Sequence, residues 1–330
     1  MNRRILVIVM ALVSLPAAAA LVETVSFRRS NSNNGRLTSS ALEREYLLHV
    51  PRTYEASRPT ALVLSLHGAA IWPAVQRDVS GWNALADEQG FLVVYPSGMT
   101  TAGPRIWHMF PGQRMQEDVR FIADLIDDLS SRYSIDPSRV YANGLSNGGG
   151  MSFVLSCTMR DRIAAVGMVG AALLTPFEWC PDRRAVPMIA FHGTADTAAP
   201  YEGGPSWVSS APFQDVETFT AKWAARNQCA AAPEESRVAP DVVRRSYTAC
   251  ADDASVVLYT VEGGGHTWPG GGALPEWLLG TTTTSINATR EMWTFFEARG
   301  RGRDSFSAAK SSAYTVTLRQ PRDKESRPRP

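Results

Sequence analysis

Between residues 46 and 261 the chain repeatedly sets down short, unbroken apolar runs, and this pattern restricts its possible folds more than any other feature. Residues 61–66 (ALVLSL) and 91–95 (FLVVY) are the clearest; residues 46–50, 140–142, 163–169, 188–191 and 256–261 continue the series. A strand with one wet face alternates apolar and polar residues, so uninterrupted runs imply strands buried on both faces. Helical patterns lie between them. Residues 78–89 form one, and in residues 118–132 Val119, Ile122, Leu125, Ile126 and Leu129 share a face. Asp136-Pro137 closes that helix and opens the turn into the next strand. Strands alternating with helices predict an α/β fold, a mostly parallel central sheet with helices on both faces. Chemistry in such sheets gathers at the carboxyl ends of the strands, so the residues just after each run carry the functional reading.

The ends of the chain differ in kind. Arg3 and Arg4 precede an apolar run from Ile5 to Leu15, then Pro16 and four alanines. A cationic start, an apolar stretch and a small-residue exit read as a signal peptide over residues 1–20, cut near Ala20, which implies a secreted or periplasmic protein. The competing reading is an uncleaved anchor, because the apolar stretch through Val22 approaches the roughly 20 residues that span a bilayer. Pro16 and the alanines favour cleavage, after which no membrane contact is expected. Residues 21–40 are polar and read as an exposed lead-in to a catalytic domain over residues 41–299. Residues 300–330 are basic and rich in Ser and Pro, the composition of a disordered tail.

Residues 197–255 depart from the strand–helix rhythm and read as an excursion that contains a helix near 215–225 and shapes the cleft. A last amphipathic helix ends near Arg299. The net charge of +1 argues against nucleic acid as a partner. All four cysteines, Cys157, Cys180, Cys229 and Cys250, fall in the exported part, where an even count suggests disulfides with three possible connectivities. Sequence proximity favours Cys157 with Cys180 and Cys229 with Cys250. Zinc binding is the alternative, but no pair has the short spacing that zinc sites use.

Gly144-Leu145-Ser146-Asn147-Gly148 fits G-x-S-x-G. The pentapeptide alone is a weak signal; its place between a strand and an apparent helix is that of a nucleophile elbow. A serine hydroxyl needs a base, and the base needs a partner that orients it. His266 follows the last apolar run in a loop, Gly263 to Gly270, too glycine-rich to be core. His192 is the other histidine beyond Ser146, but it sits at a strand end. Among the acids between Ser146 and His266, notably Glu202, Asp215, Asp252 and Glu262, only Asp196 lies just past a central run. The triad expected is therefore Ser146, Asp196 and His266. For the oxyanion, the backbone N–H groups of Asn147 and Ala69 are the candidates; His67 is expected to brace the Ala69 loop.

These residues, in this order, resemble the polyhydroxybutyrate-depolymerase and feruloyl-esterase-like family of secreted esterases. The likeness is carried by Leu66-His67-Gly68, by the run from Ile135 to Tyr141, by Gly144 to Gly148, by His192 to Asp196 with Pro200-Tyr201, and by Gly265 to Gly270. It covers roughly residues 45–299. The resemblance implies an α/β-hydrolase fold, maps the family's triad onto Ser146, Asp196 and His266, places Trp268 in the acyl or alcohol pocket, and makes cysteine pairs in such positions familiar. Ala69-Ala70 after His67-Gly68, and Ala199 where valine is usual, depart from the pattern and bear on pocket shape. The activity implied is hydrolysis of carboxylic esters, either hydroxyalkanoate oligomers or hydroxycinnamoyl or acetyl esters, with no metal, nucleotide or organic cofactor. The rivals are a serine peptidase of the same fold and a catalytically silent surface-binding protein. Oligomeric state is not encoded in any of these features.

Overall fold

The computed structural model of the chain describes residues 34–100, 105–180 and 184–300. The signal peptide and the basic tail expected from the sequence lie outside them. The described chain begins with an antiparallel hairpin, β1 (Asn34–Ser39) and β2 (Leu42–His49). The end of the stretch read as an exposed lead-in is therefore an edge strand, and Ser39 is buried with its hydroxyl donating to Asp124 at 2.7 Å. Then come β3 (Thr60–Leu66), helices α1 (Pro73–Ser80) and α2 (Trp82–Gln89), β4 (Leu92–Pro96) and the long helix α3 (Gln113–Arg132). β5 (Ile135–Leu145), α4 (Asn147–Thr158), β6 (Ala165–Val169) and β7 (Met188–Gly193) follow. The remainder is a small hairpin of β8 (Gly204–Ser206) and β9 (Ser209–Phe213), helix α5 (Val216–Arg226), β10 (Glu234–Ala239), β11 (Val242–Tyr247), β12 (Val256–Val261), and helices α6 (Glu276–Leu279) and α7 (Ala288–Gly300).

Ten strands form one sheet in the order β1-β2-β4-β3-β5-β6-β7-β12-β11-β10. The central strands, β4 through β12 in that order, run parallel, and antiparallel hairpins close both edges. The unbroken apolar runs have a direct cause. Along β3, Leu62, Leu64 and Leu66 join a core beneath α3, α4 and α5, while Ala61 and Val63 join a second core beneath α1, α2 and α7. Every residue of β3 and β4 is buried, so no position is left for a polar alternation.

Two expectations change. The single helix read over residues 78–89 is two helices, because Gly81 (φ +68°) ends α1 in the left-handed conformation that glycine adopts without strain. The excursion over residues 197–255 includes β10 and β11, which extend the sheet past β12. These strands carry charged side chains, with Arg237 paired to Glu262 and Arg245 to Glu217 and Glu235. The helix expected near 215–225 is α5, capped by the Asp215 carboxylate, which accepts from the Thr218 N–H at 2.6 Å. Both disulfides form as sequence proximity suggested. Cys157–Cys180 ties the end of α4 to the segment after β6, and Cys229–Cys250 ties the exit of α5 to the entry of β12. No helix among the described residues is long and apolar enough to cross a membrane.

Candidate active site

The turn from β5 into α4 holds its serine at a positive φ, outside the regions a non-glycine residue ordinarily adopts. Ser146 adopts φ 54° and ψ −117°, a region that costs a non-glycine residue about 1–3 kcal/mol and persists only where its surroundings impose it. The surroundings are specific. The Ser146 N–H donates to Val169 O at 2.9 Å, and the Ser146 carbonyl accepts from Gly150 and Ala172 at 3.0 and 2.9 Å. The flanking glycines are needed for space: a Cβ on Gly144 would lie 2.4 Å from the Gly148 carbonyl carbon, and one on Gly148 would lie 2.2 Å from Leu66 O. Ser146 is only half-buried, at the amino end of α4, where the helix dipole favours negative charge.

Asp196 and His266 lie past β7 and β12, which are neighbours in the sheet. His266 Nδ1 is 2.7 Å from Asp196 Oδ2. The other carboxylate oxygen accepts from the Ala198 and Ala199 amides at 2.9 and 2.7 Å. The His266 loop is rich in glycine because backbones cross there: a Cβ on Gly193 would meet Gly264 O at 2.1 Å, and one on Gly265 would meet Leu279 O at 2.1 Å. Gly170, after β6, joins this pair to the serine turn. A Cβ there would lie 3.1 Å from His266 Nδ1 and 3.3 Å from Asp196 Oδ2, and the residue before it, Val169, receives the Ser146 N–H. The ends of the adjacent strands β5, β6, β7 and β12 thus carry all three residues. Burial by itself would raise the Asp196 pKa, but hydrogen bonds from His192 and His266 outweigh it and hold the carboxyl well below the usual carboxylate range. Of the rival histidines, His192 shares its Nε2–H between Ala199 O at 2.7 Å and, more weakly, Asp196 Oδ2 at 3.4 Å, so it braces the loop.

His67 is wholly buried and holds the loop after β3. Its Nε2 accepts from the Gly98 N–H at 2.9 Å and its Nδ1–H donates to Gly68 O at 2.7 Å. Burial lowers its pKa to about 4, which keeps the ring neutral. The Trp107 indole donates to His67 O at 3.1 Å, and the Ala70 N–H to Arg105 O at 2.8 Å. Gly68 sits against Ser146, where a Cβ on it would be 3.4 Å from the serine Cβ. Among the described residues, neither the Ala69 nor the Asn147 N–H has an acceptor. The Asn147 side chain is committed elsewhere, clasping the Trp107 backbone at 2.6 and 3.0 Å.

A cavity of about 730 Å³ opens beside Asn147, walled by Trp107, Met109, Phe110, Met115, Leu174 and Val208. Sequence reasoning missed this wall. Residues 105–117 have no periodic pattern, and their only local signal is a cluster of large side chains ahead of α3. His108, also in the wall, is fixed by fully buried Asp118, whose Oδ2 accepts from the His108 N–H and faces Nδ1 at 2.9 Å while Oδ1 pairs with Arg44 at 2.8 Å. Trp268 is a correction. Expected to line the pocket, it is 0% exposed, in the core beneath α1, α2 and α7, with its indole N–H donating to Thr289 Oγ1 at 2.9 Å. It supports the His266 loop from below. Among the described residues no group of side chains is arranged to hold a metal ion.

Sheet order, elbow and strand-end residues define an α/β-hydrolase. The chain belongs to the polyhydroxybutyrate-depolymerase and feruloyl-esterase-like family, and by class it is a carboxylic ester hydrolase. The family profile described as Esterase PHB depolymerase matches residues 44–176. A protein named "Putative esterase NocK" from Nocardia uniformis subsp. tsuyamanensis is 32% identical over 249 residues, covering 69% of this chain and 71% of that one. Feruloyl esterase B of Piromyces equi is 28% identical over 233 residues, 68% of this chain, which spans only 42% of that relative's length. Among solved structures, an acetyl xylan esterase from Aspergillus awamori superposes with a TM-score of 0.55 over 80% of this chain and 99% of that one, at 18% identity, a likeness of fold.

Proposed function

We propose that the protein is an exported serine esterase in which Ser146 is the nucleophile, His266 the general base and acid, and Asp196 the residue that orients His266. The observation that carries this reading is the buried Asp196–His266 hydrogen bond of 2.7 Å at strand ends next to the strained Ser146 turn. Asp196 accepts the Nδ1–H, which leaves the Nε2 lone pair to take the Ser146 Oγ proton as Oγ bonds to the ester carbonyl carbon. The resulting oxyanion is held by the Asn147 and Ala69 amides, free of other acceptors. The imidazolium returns its proton to the departing alkoxide, leaving an acyl-serine. Water, deprotonated by His266, attacks the acyl carbon; the proton goes back to Ser146 Oγ and the carboxylic acid leaves. No step requires a metal or an organic cofactor.

The apolar cavity beside Asn147 is the place for the acyl group. Substrates consistent with it, and with the names of the relatives, are hydroxycinnamoyl or acetyl esters and short hydroxyalkanoate oligomers. The disulfides fit an oxidising compartment, and a signal peptide removed near Ala20 is part of the proposal. The test compares kcat/KM of the oxidised mature protein on methyl ferulate, 4-nitrophenyl acetate and a soluble 3-hydroxybutyrate trimer, with Ser146→Ala as control. Activity lost in Ser146→Ala is the expected result. Activity that survives it, on whichever ester is turned over, would remove Ser146 as nucleophile and with it this mechanism.

A further inference from the structure

The loop after β3 carries Ala69, a candidate oxyanion donor, in a conformation that its own residues do not favour. Ala70 stands at φ +61°, in the left-handed region that alanine occupies only where its surroundings impose it. Arg105 supplies that constraint. Its carbonyl accepts the Ala70 N–H at 2.8 Å, and its side chain reaches the same loop by two further routes. The guanidinium carbon lies 4.0 Å from the centre of the Trp72 ring, just beyond Ala70 in the chain. Nη1 donates to Gly98 O at 2.9 Å and to the Ser97 hydroxyl, and the Gly98 N–H donates to His67 Nε2 at 2.9 Å, ahead of Ala69. Arg105 thus grips the loop on both sides of Ala69, through His67 before it and through Ala70 and Trp72 after it.

A guanidinium suits this place for physical reasons. It lies over an indole while its N–H groups reach two acceptors of one turn, a combination that the point charge of an ammonium reproduces only in part. Among the described residues no carboxylate forms an ion pair with Arg105, and burial pushes its pKa down. Its position is therefore not that of a fold-stabilising salt bridge. The support it grips is itself fixed. Arg44 Nη2 donates to Ser97 O at 3.1 Å, and a Cβ on Gly98 would lie 2.5 Å from Ile106 O and 3.2 Å from His67 Nε2. Oxyanion stabilisation depends on donors that are already in place and need no reorganisation as the charge develops.

We propose that Arg105 is a positioning residue of the oxyanion hole, which keeps the loop from Gly68 to Ala70 in the conformation that presents the Ala69 N–H to the oxyanion, without touching substrate itself. The proposal rests on the serine-esterase reading and on its assignment of Ala69. Loosening the grip costs transition-state stabilisation and leaves ground-state binding alone. The test replaces Arg105 by Met and by Lys and follows kcat and KM for 4-nitrophenyl acetate well below the Tm of each variant. Inhibition by phenylboronic acid, which adds to a catalytic serine as a tetrahedral anion, is measured alongside. In Arg105→Met, kcat is expected to fall about tenfold or more with KM within about twofold, and the phenylboronic acid Ki to rise by a similar factor. Arg105→Lys, with a cation but no planar fork, is expected to fall between Arg105→Met and wild type. Wild-type kcat in folded Arg105→Met, whatever its Tm, overturns the proposal and leaves Arg105 a structural residue. So does a raised KM with kcat and Ki unchanged, which would make it a substrate contact. If Arg105→Met does not fold, Ser97→Ala decides, because it removes a single contact. A loss in kcat of about threefold at constant KM supports the proposal, and wild-type kcat overturns it. Ser146→Ala that is as active as wild type refutes the esterase mechanism itself; activity lost in Ser146→Ala but intact in Arg105→Met refutes only the role of Arg105.

Discussion

Replacing Asp196 by Asn tests the proposed tautomer control, because its surroundings dictate how the amide must lie. Oδ1 accepts from the Ala198 and Ala199 N–H groups at 2.9 and 2.7 Å. An Asn side chain keeps its oxygen there, since turning its NH₂ toward two donors would leave buried groups unsatisfied at about 1–3 kcal/mol each. The NH₂ then faces His266 Nδ1, now 2.7 Å from Oδ2, and Nδ1 must become the acceptor. The proton moves to Nε2, which can no longer take the serine proton. In Ser-His-Asp triads the same change lowers kcat about 10⁴-fold, or ~5.4 kcal/mol of barrier. The assay is kcat at pH 7 on the best ester, alongside thermal melts. Stability has its own sign. The Asp196 pKa lies below its ordinary value of 3.8, so its ionised form stabilises the fold above that pH, and the contribution is lost as pH falls toward the folded value. Asp196→Asn is thus expected to be less stable than wild type at pH 7, with the gap closing as pH falls below 3.8. A variant that keeps more than a tenth of wild-type kcat would refute the tautomer argument.

Two further outcomes check the supporting structure. Trp268→Phe is expected to lower Tm and leave KM unchanged, because the indole supports the His266 loop from within the core; Trp268→Ala is expected to cost roughly 3–5 kcal/mol of stability in denaturant melts. A change in KM with little loss of stability would return Trp268 to the pocket. His67, buried with a pKa lowered to about 4, binds its proton less readily folded than unfolded, so the fold loses stability as pH drops from about 6.5 through that value, by roughly 2–3 kcal/mol at pH 4.5. NMR titration of the ring is the direct measurement, and a His67 midpoint near 6.5 would contradict it.

Several parts of this protein follow from local sequence. The runs at β3, β4, β6, β7 and β12 are legible because strands covered on both faces must be apolar at every position. The serine turn is legible because Gly144 and Gly148 serve local crowding that a pentapeptide records. Other features depend on neighbours distant in the chain. β10 is the edge strand and β11 its neighbour; both carry charged side chains, and only the pairing of β11 with β12 and of β10 with β11 makes them part of the sheet. Helix α1 separates from α2 at a glycine that chain position alone presents as one tolerated residue in a longer helix. The preference for Asp196 over Glu202, Asp215, Asp252 and Glu262 drew on strand position; its 2.7 Å approach to His266 arises because β7 and β12 are adjacent in the sheet although about 60 residues separate them along the chain. The burial of Trp268 has no local signature, and the cavity wall from residues 105–117 shows only a cluster of large side chains that does not say what it lines. Sequence determines what each segment can bury; packing decides which segment covers it, and therefore which large side chains are core and which face the substrate.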